Sequence, residues 1–355
     1  AVLLGVSLWI RLQLNESPVY QQMKNAGATS KAPLTEAFGT WRNARLVLIA
    51  LLGAVAGQAV IWYTGQFYAL FYLERILKVD SGTANILIAI ALAIGTPFFV
   101  FFGWLSDKIG RKPIIMAGCA LAALLYFPLF AALTEAANPA LAHAQARAPV
   151  TVVADAATCS VQFDPIGKTT FDKSGCDIAK SALAKAGVPY VNQDTPGETV
   201  VRIGRMQVPV GDKASFDAAL PGLLAAAGYP AAGETPELDR PLVIAILTAL
   251  VVLVTMVYGP IAALLVELFP ARIRYTAMSL PYHIGNGWFG GFLPTIAFAM
   301  VAATGDIHAG LWYPIGVALM TLVVGLLFLP ETFRRSIDHA SETQYSRDAP
   351  VANAV

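Results

Sequence analysis

The sequence predicts an all-α integral membrane protein that carries one small α+β insertion outside the bilayer. Three observations lead there. Of 355 residues, 56% are hydrophobic and only 13% are charged, with a mean hydropathy of +0.60, whereas soluble domains carry about 25% charged residues. Six stretches free of Asp, Glu, Lys and Arg reach the length of about 20 apolar residues that crosses a hydrocarbon core. One segment, 135–240, breaks this pattern with mixed polarity and is long enough for a small domain. The 24 basic and 23 acidic residues nearly cancel, net +1, so nothing points to a nucleic-acid partner. Three cysteines are too few for a disulfide-dense secreted domain.

The elements follow in chain order. AVLLGVSLWI runs to Arg11; as a helix it rises only about 15 Å, roughly half a hydrocarbon core. No basic segment precedes it and no small-residue cleavage site follows it, so it reads as the end of a span in a chain cut within the membrane, not as a signal peptide. The full stretches are 46–73, 81–106, 113–134, 241–266, 275–305 and 309–330. Hydrocarbon offers no partner to an open sheet edge, so each is expected to be a helix, bent but not ended by Pro97, Pro128, Pro260, Pro281, Pro294 and Pro314. Basic residues set the orientation. Arg11, Lys24, Lys31, Arg42 and Arg45, then Lys108, Arg111 and Lys112, then Arg272 and Arg274, then Arg334, Arg335 and Arg347 share one side if every stretch crosses once. The opposite turns hold Arg75 with Lys78, and Asp306 with His308. Both ends of the chain are therefore expected in the cytoplasm.

Within the insertion, TVVADAATCSVQF reads as a strand and CDIAKSALAKAG as a short amphipathic helix followed by the strand VPYVN. TVVRIGRMQVPV alternates like strands, and DKASFDAALPGLLAAAG reads as a helix. Cys159 and Cys176 both lie here, on the expected outer face, where disulfides persist. A bridge across so short a loop contributes about 3 kcal/mol in the chain-entropy account; the alternative is two unpaired thiols. Cys119 reads as a small apolar filler within a span.

The most specific string is GWLSDKIGRKP, 103–113, at the turn between the second and third full stretches. Gly103 permits close helix approach, Asp107 ends one helix near the positive start of the next, and Gly110 allows the reversal. The next turn on that side, ELFPARIR, offers Glu267 as a partner for Arg111. Such pairs form a latch that favours the closed state of the cytoplasmic ends; a plain topogenic turn is the other reading of the string. At depth, Gln58, Trp62 and Gln66 fall at i, i+4 and i+8 and share a helix face. Two amides and an indole fit a carboxylate or hydroxyl against an apolar wall, and they equally fit hydrogen bonding between helices. Tyr258 lies before Gly259 and Pro260; Gly53 and Gly57, Asn85 and Asn286 read as packing positions. His283 is expected to hydrogen-bond a neighbouring helix near the cytoplasmic end of its span. No clustered Ser/His/Asp, metal-spaced His/Cys or paired acids occur, and His143, His283, His308 and His339 are scattered, so neither an enzyme nor a metal or cofactor site is expected.

GWLSDKIGRKP resembles the signature turn of the major facilitator superfamily. ELFPARIRYTAMSLPYHIGNGWFGGFLP and the tail LPETFRR resemble the last third of its metabolite:proton symporter branch. The resemblance implies a twelve-helix fold in two six-helix halves. It then divides the chain into the end of helix six (1–13), the central cytoplasmic loop (14–45), helices seven to nine (46–134), the extracytoplasmic insertion (135–240), helices ten to twelve (241–330) and a cytoplasmic tail (331–355). The partner it implies is a missing N-terminal half of the same chain, which would hold the proton-binding groups of helices one and four. Glu16 and Glu331 stand just past equivalent helix ends of the two halves, and with Asp107, Arg111, Glu267 and Arg272 they complete the cytoplasmic gate. The resemblance places Gln58, Trp62, Gln66 and Tyr258 on cavity helices. It implies secondary active transport of a small organic acid or zwitterion with protons, by alternating access, in a bacterial inner membrane. A facilitator or sugar carrier of the same fold, and a membrane-anchored sensor that uses the insertion, remain open readings.

Overall fold

A computed structural model describes residues 2–13, 18–25, 27, 30–162, 169–230 and 237–333. Six helices are long and apolar enough to cross a membrane: Trp41–Ile76, Ser81–Ile109, Arg111–Ala137, Arg240–Leu268, Arg274–Thr304 and Ala309–Phe328, here the first to sixth spans. Each contains the core of one apolar stretch read from the sequence. Antiparallel succession puts the turns at 109–111 and 268–274 and the end of the sixth span together at one end of the bundle. The turns at 76–81 and 304–309 and the insertion lie at the other. A shorter helix, Val2–Gln13, covers the first apolar run.

Small residues set the closest crossings. A Cβ on Gly53 would lie 3.3 Å from the Cα of Gly325, and one on Gly57 would lie 2.7 Å from Thr321, so the first and sixth spans meet backbone to backbone. The expected close approach at Gly103 is made by its backbone, since a Cβ on Gly259 would lie 3.3 Å from the Gly103 amide nitrogen. A Cβ on Gly103 would meet open space, whereas one on Gly259 would press on the Phe99 carbonyl at 3.1 Å. Pro97, Pro128, Pro281 and Pro314 sit inside helices. Pro260 and Pro294 stand at short interruptions, because proline supplies no amide to the ladder. The first span also contains three π turns, Leu51–Val55, Thr64–Tyr68 and Tyr72–Ile76, and the fifth contains one, Gly285–Gly290. Apolar periodicity does not reveal these.

The insertion folds around a four-stranded sheet of order β2-β1-β3-β4, with β1 Val150–Ala154, β2 Tyr190–Asp194, β3 Val200–Ile203 and β4 Met206–Pro209. β1 pairs parallel with β2, Val150 opposite Tyr190, and antiparallel with β3, Val150 opposite Ile203. The helix Gly175–Ala186 supplies the crossover that a parallel pair requires. A second helix, Lys213–Ala226, follows the hairpin. Val152, Val201, Leu183 and Phe216 are buried in this core. The first strand is shorter than the sequence reading: Asp155 accepts a hydrogen bond from the Ala157 amide and starts a tight helical turn at Ala156–Thr158. Cys159 and Cys176 form a disulfide with Cα atoms 5.3 Å apart. Beside it, Asp177 accepts from the Ser160 amide at 2.7 Å and its hydroxyl at 2.9 Å.

The insertion is fastened to the spans. The Tyr190 amide donates to the Gly305 carbonyl at 2.9 Å, and its phenol donates to the Ala302 carbonyl. Asn192 Nδ2 donates to the Ala303 and Thr304 carbonyls at 3.1 and 2.8 Å. These carbonyls close the fifth span, where no intrahelical donor remains. Burial raises the Tyr190 phenol well above its ordinary pKa, which keeps it a donor. Replacing Cys159 and Cys176 together by serine should destabilise the insertion by roughly 3 kcal/mol. Limited proteolysis should then cut the insertion while the spans stay intact, and unchanged resistance would show that the bridge contributes nothing.

Candidate functional site

Two polar assemblies stand out against the apolar bundle. The first lies at the end opposite the insertion. Gly110 turns the chain at φ +110°, and a Cβ there would collide with the Glu331 carboxylate. Arg111, 7% exposed, follows it. Its guanidinium donates to Glu267 Oε1 at 2.9 Å and Ser106 Oγ at 2.9 Å, and it pairs with Asp107. Thr332 Oγ1 donates to the other Glu267 oxygen at 2.7 Å. Glu331 accepts from the amides of Arg111 and Lys112 at 3.1 and 3.0 Å, and so caps the third span. Lys112 Nζ in turn donates to the Leu326 and Leu329 carbonyls at 2.9 and 2.8 Å.

The residues expected to form a gate therefore fall into two groups. Arg111 joins Asp107 and Glu267, while Glu331, not Asp107, takes the start of the third span. Asp107 is held instead by Arg111 four residues on, with its outer edge exposed. Arg272 stands apart and pairs at 2.8 Å with Glu36, at the start of the short helix Pro33–Phe38. Sequence reasoning missed Glu36, which lies outside any motif. Glu16 lies outside the described residues, as do Arg334, Arg335, Arg347 and His339. The described partners of Arg111 all belong to this one six-helix bundle. The cluster staples the second, third, fourth and sixth spans to each other.

The second assembly is half-buried, where the first, fourth and fifth spans meet. Trp62 stacks on Tyr258 with ring centroids 4.7 Å apart, and Phe99 lies 6.4 and 5.9 Å from the two rings. The Tyr258 and Tyr282 hydroxyls are 2.8 Å apart. One turn on, Asn286 Nδ2 donates to the Tyr282 carbonyl at 2.9 Å, and its Oδ1 lies 3.5 Å from Gln58 Nε2. Gln58 is fully buried, and its Oε1 has no hydrogen-bond partner. Gln66 does not continue this wall. It sits inside the π turn Thr64–Tyr68, which shifts the register after Trp62, and its Nε2 has no partner. Asn286, read as a packing residue, makes its contact with Gln58 across two spans beside these rings, and Tyr282 joins it unforeseen. Their i, i+4 spacing on the fifth span was the available signal. His283 is exposed and bonds the Ser279 carbonyl of its own helix at 2.7 Å, not a neighbouring helix.

Known proteins bear on both assemblies. The profile of the Major Facilitator Superfamily matches residues 1–149, and that of the Sugar (and other) transporter family matches residues 221–343. Over residues 1–149 the chain is similar to the major facilitator superfamily. Both matches leave out 150–220, the sheet of the insertion. The chain is 32% identical over 141 residues to the alpha-ketoglutarate permease of Escherichia coli, covering 39% of this chain and 31% of that protein. It is 30% identical over 135 residues to a Staphylococcus haemolyticus protein named as a proline/betaine transporter, covering 37% and 28%. The chain thus spans about a third of the length of the curated relatives it matches. The matched families and relatives are transporters, not enzymes. No solved structure matches the chain.

Glu267→Ala leaves Arg111 with a buried charge facing only exposed Asp107, and should cost roughly 3 kcal/mol. Glu331→Ala removes the helix cap and should cost about 1 kcal/mol. Thermal unfolding in detergent checks both, and equal losses would contradict the assigned roles.

Proposed function

We propose that the chain forms the second six-helix half of a twelve-helix carrier for a small organic acid or zwitterion. It works by alternating access with proton symport, in a bacterial inner membrane. The observation that supports this reading best is the wall of Gln58, Asn286, Tyr282, Tyr258 and Trp62. It gathers hydrogen-bonding groups from three spans at a depth where each unpaired one is costly. The wall holds no formal charge. It suits the neutral or apolar portion of a solute, hydrogen-bonding through Gln58 and Tyr282 and stacking on Trp62. Gln66, one π turn away, offers a further free amide for a loaded state.

In this reading the proton-binding group and any counter-charge for the solute belong to a preceding six-helix half. The stretches 46–73, 81–106 and 241–266 contain no Asp, Glu, Lys or Arg. Alternating access needs each half to move as a body. The Arg111 cluster serves that need by fixing four helix ends, and the insertion does so at the other end. The pair Arg272–Glu36, with Glu16, is the part of the proposed cytoplasmic gate that involves the segment before the first span. The basic turns at 108–112 and 272–274 support a cytoplasmic placement of that end, with the insertion outside.

The match of 221–343 to the sugar-transporter profile favours a second reading, a facilitator that uses no proton gradient. Uptake of alpha-ketoglutarate, of proline and of betaine into vesicles separates them. Symport requires faster uptake with an imposed inside-alkaline gradient and loss of that gain with a protonophore; a facilitator gives the same rate in both. With the transported solute, Trp62→Ala should reduce uptake at least roughly tenfold through lost stacking area. Tyr258→Phe, which removes one hydrogen bond, should reduce it about fivefold. Normal uptake in both variants would move the site elsewhere.

A further inference from the structure

A cleft of about 770 Å³ opens where the insertion meets the first and fifth spans. Arg75, Lys78 and Lys185 line it, and Phe71 and Phe298 give it an apolar floor. Among the described residues its single lining acid, Glu74, is turned to the Ser81 hydroxyl, which donates to it at 2.7 Å. Among the described residues no ion pair reaches any of the three cations. Desolvation, and then repulsion from Arg75, lowers the Lys78 pKa, as expected where positive charge gathers without a counter-ion.

The cleft is built, not incidental. Lys78 is the one non-glycine residue among those described with positive φ, +60°, a conformation that side chains with a Cβ avoid. Its flanking amides hold it there: Leu77 donates to the Tyr72 carbonyl at 3.0 Å and Val79 to the Leu73 carbonyl at 2.9 Å. Lys78 Nζ then reaches across to the Lys185 carbonyl at 2.8 Å, at the negative end of the helix Gly175–Ala186. Gly187 closes that helix at φ +71°, so near the turn that a Cβ would lie 2.7 Å from the Ile76 carbonyl. Lys78 thus ties insertion to bundle. Arg75 and Lys185 remain, both exposed at the cleft, with no acid among the described residues paired to them.

We propose that this cleft binds a small organic anion, its carboxylate held between Arg75 and Lys185 and its apolar body laid on Phe71 and Phe298. The site is separate from the Trp62 wall, and its existence does not depend on transport. Exposed ion pairs are individually weak, so selectivity comes from the combination: inorganic anions lack the apolar part and neutral esters lack the charge.

The test places a thiol at Ser181, which also lines the cleft. Cys119 is buried and the other two cysteines are bridged, so Ser181→Cys supplies the reactive site. Full-length protein in lipid nanodiscs is labelled with a neutral polyethylene-glycol maleimide. The probes are alpha-ketoglutarate, its dimethyl ester and inorganic phosphate. Alpha-ketoglutarate should slow labelling, the ester should not, and phosphate should need a far higher concentration. Adding Arg75→Gln with Lys185→Gln should raise the concentration for half-protection roughly tenfold, with the ligand-free labelling rate and melting temperature unchanged. Trp62→Ala should leave protection intact whatever it does to uptake, which keeps this result distinct from failure of the carrier reading. Absence of protection, equal protection by phosphate, or protection that survives loss of both cations overturns the proposal.

Discussion

Hydrocarbon solvates neither a charged side chain nor an unpaired peptide group, and the arrangement of this chain answers to that limit. Backbone groups close on themselves in six long helices. Charged residues are displaced to the helix ends and to the insertion. Packing between spans then relies on small residues such as Gly53, Gly57 and Gly325, because burial of apolar surface gives little drive inside lipid. What the ends do with their concentrated charge decides how the bundle behaves as a unit.

At one end the charge is neutralised internally. Arg111 is surrounded by Asp107, Glu267 and Ser106, and Glu331 satisfies the amides that open the third span. Removing either carboxylate exposes a buried donor, so the cluster fixes geometry more than it adds stability. At the other end the insertion does comparable work with neutral groups, as Tyr190 and Asn192 cap the carbonyls of the fifth span. By contrast, Arg75 of the first span and Lys185 of the insertion have no ion-pair partner among the described residues. The difference between a neutralised cluster and an unneutralised one separates scaffolding from a surface able to take a ligand.

Much of this was legible in the sequence because the signals are long or local. Charge-free runs of more than twenty residues give the spans. Alternation gives the hairpin 200–209, and apolar periodicity gives the two insertion helices. The proximity of Arg111 and Glu267 followed from placing both turns at one end. Other features depend on register that no short pattern encodes. The π turn Thr64–Tyr68 carries Gln66 off the stripe begun by Gln58 and Trp62, and the turn Gly285–Gly290 sets Asn286 toward Gln58. Glu331 displaced Asp107 from the helix start because the sixth span ends beside Gly110, a tertiary fact. Glu36 met Arg272 across 236 residues for the same reason. The cation cleft needed the insertion docked before Arg75 and Lys185 lined one cavity.

The account rests on six crossings that put the Arg111 cluster and the insertion on opposite faces of the membrane. Single cysteines at Lys108 and at Gly197, each exposed, read this directly in intact cells with an impermeant thiol reagent. Labelling at 197 without labelling at 108, and the appearance of 108 only after the membrane is opened, is the expected result. Labelling of both positions from the same side would contradict the fold's placement in the membrane and everything built on it.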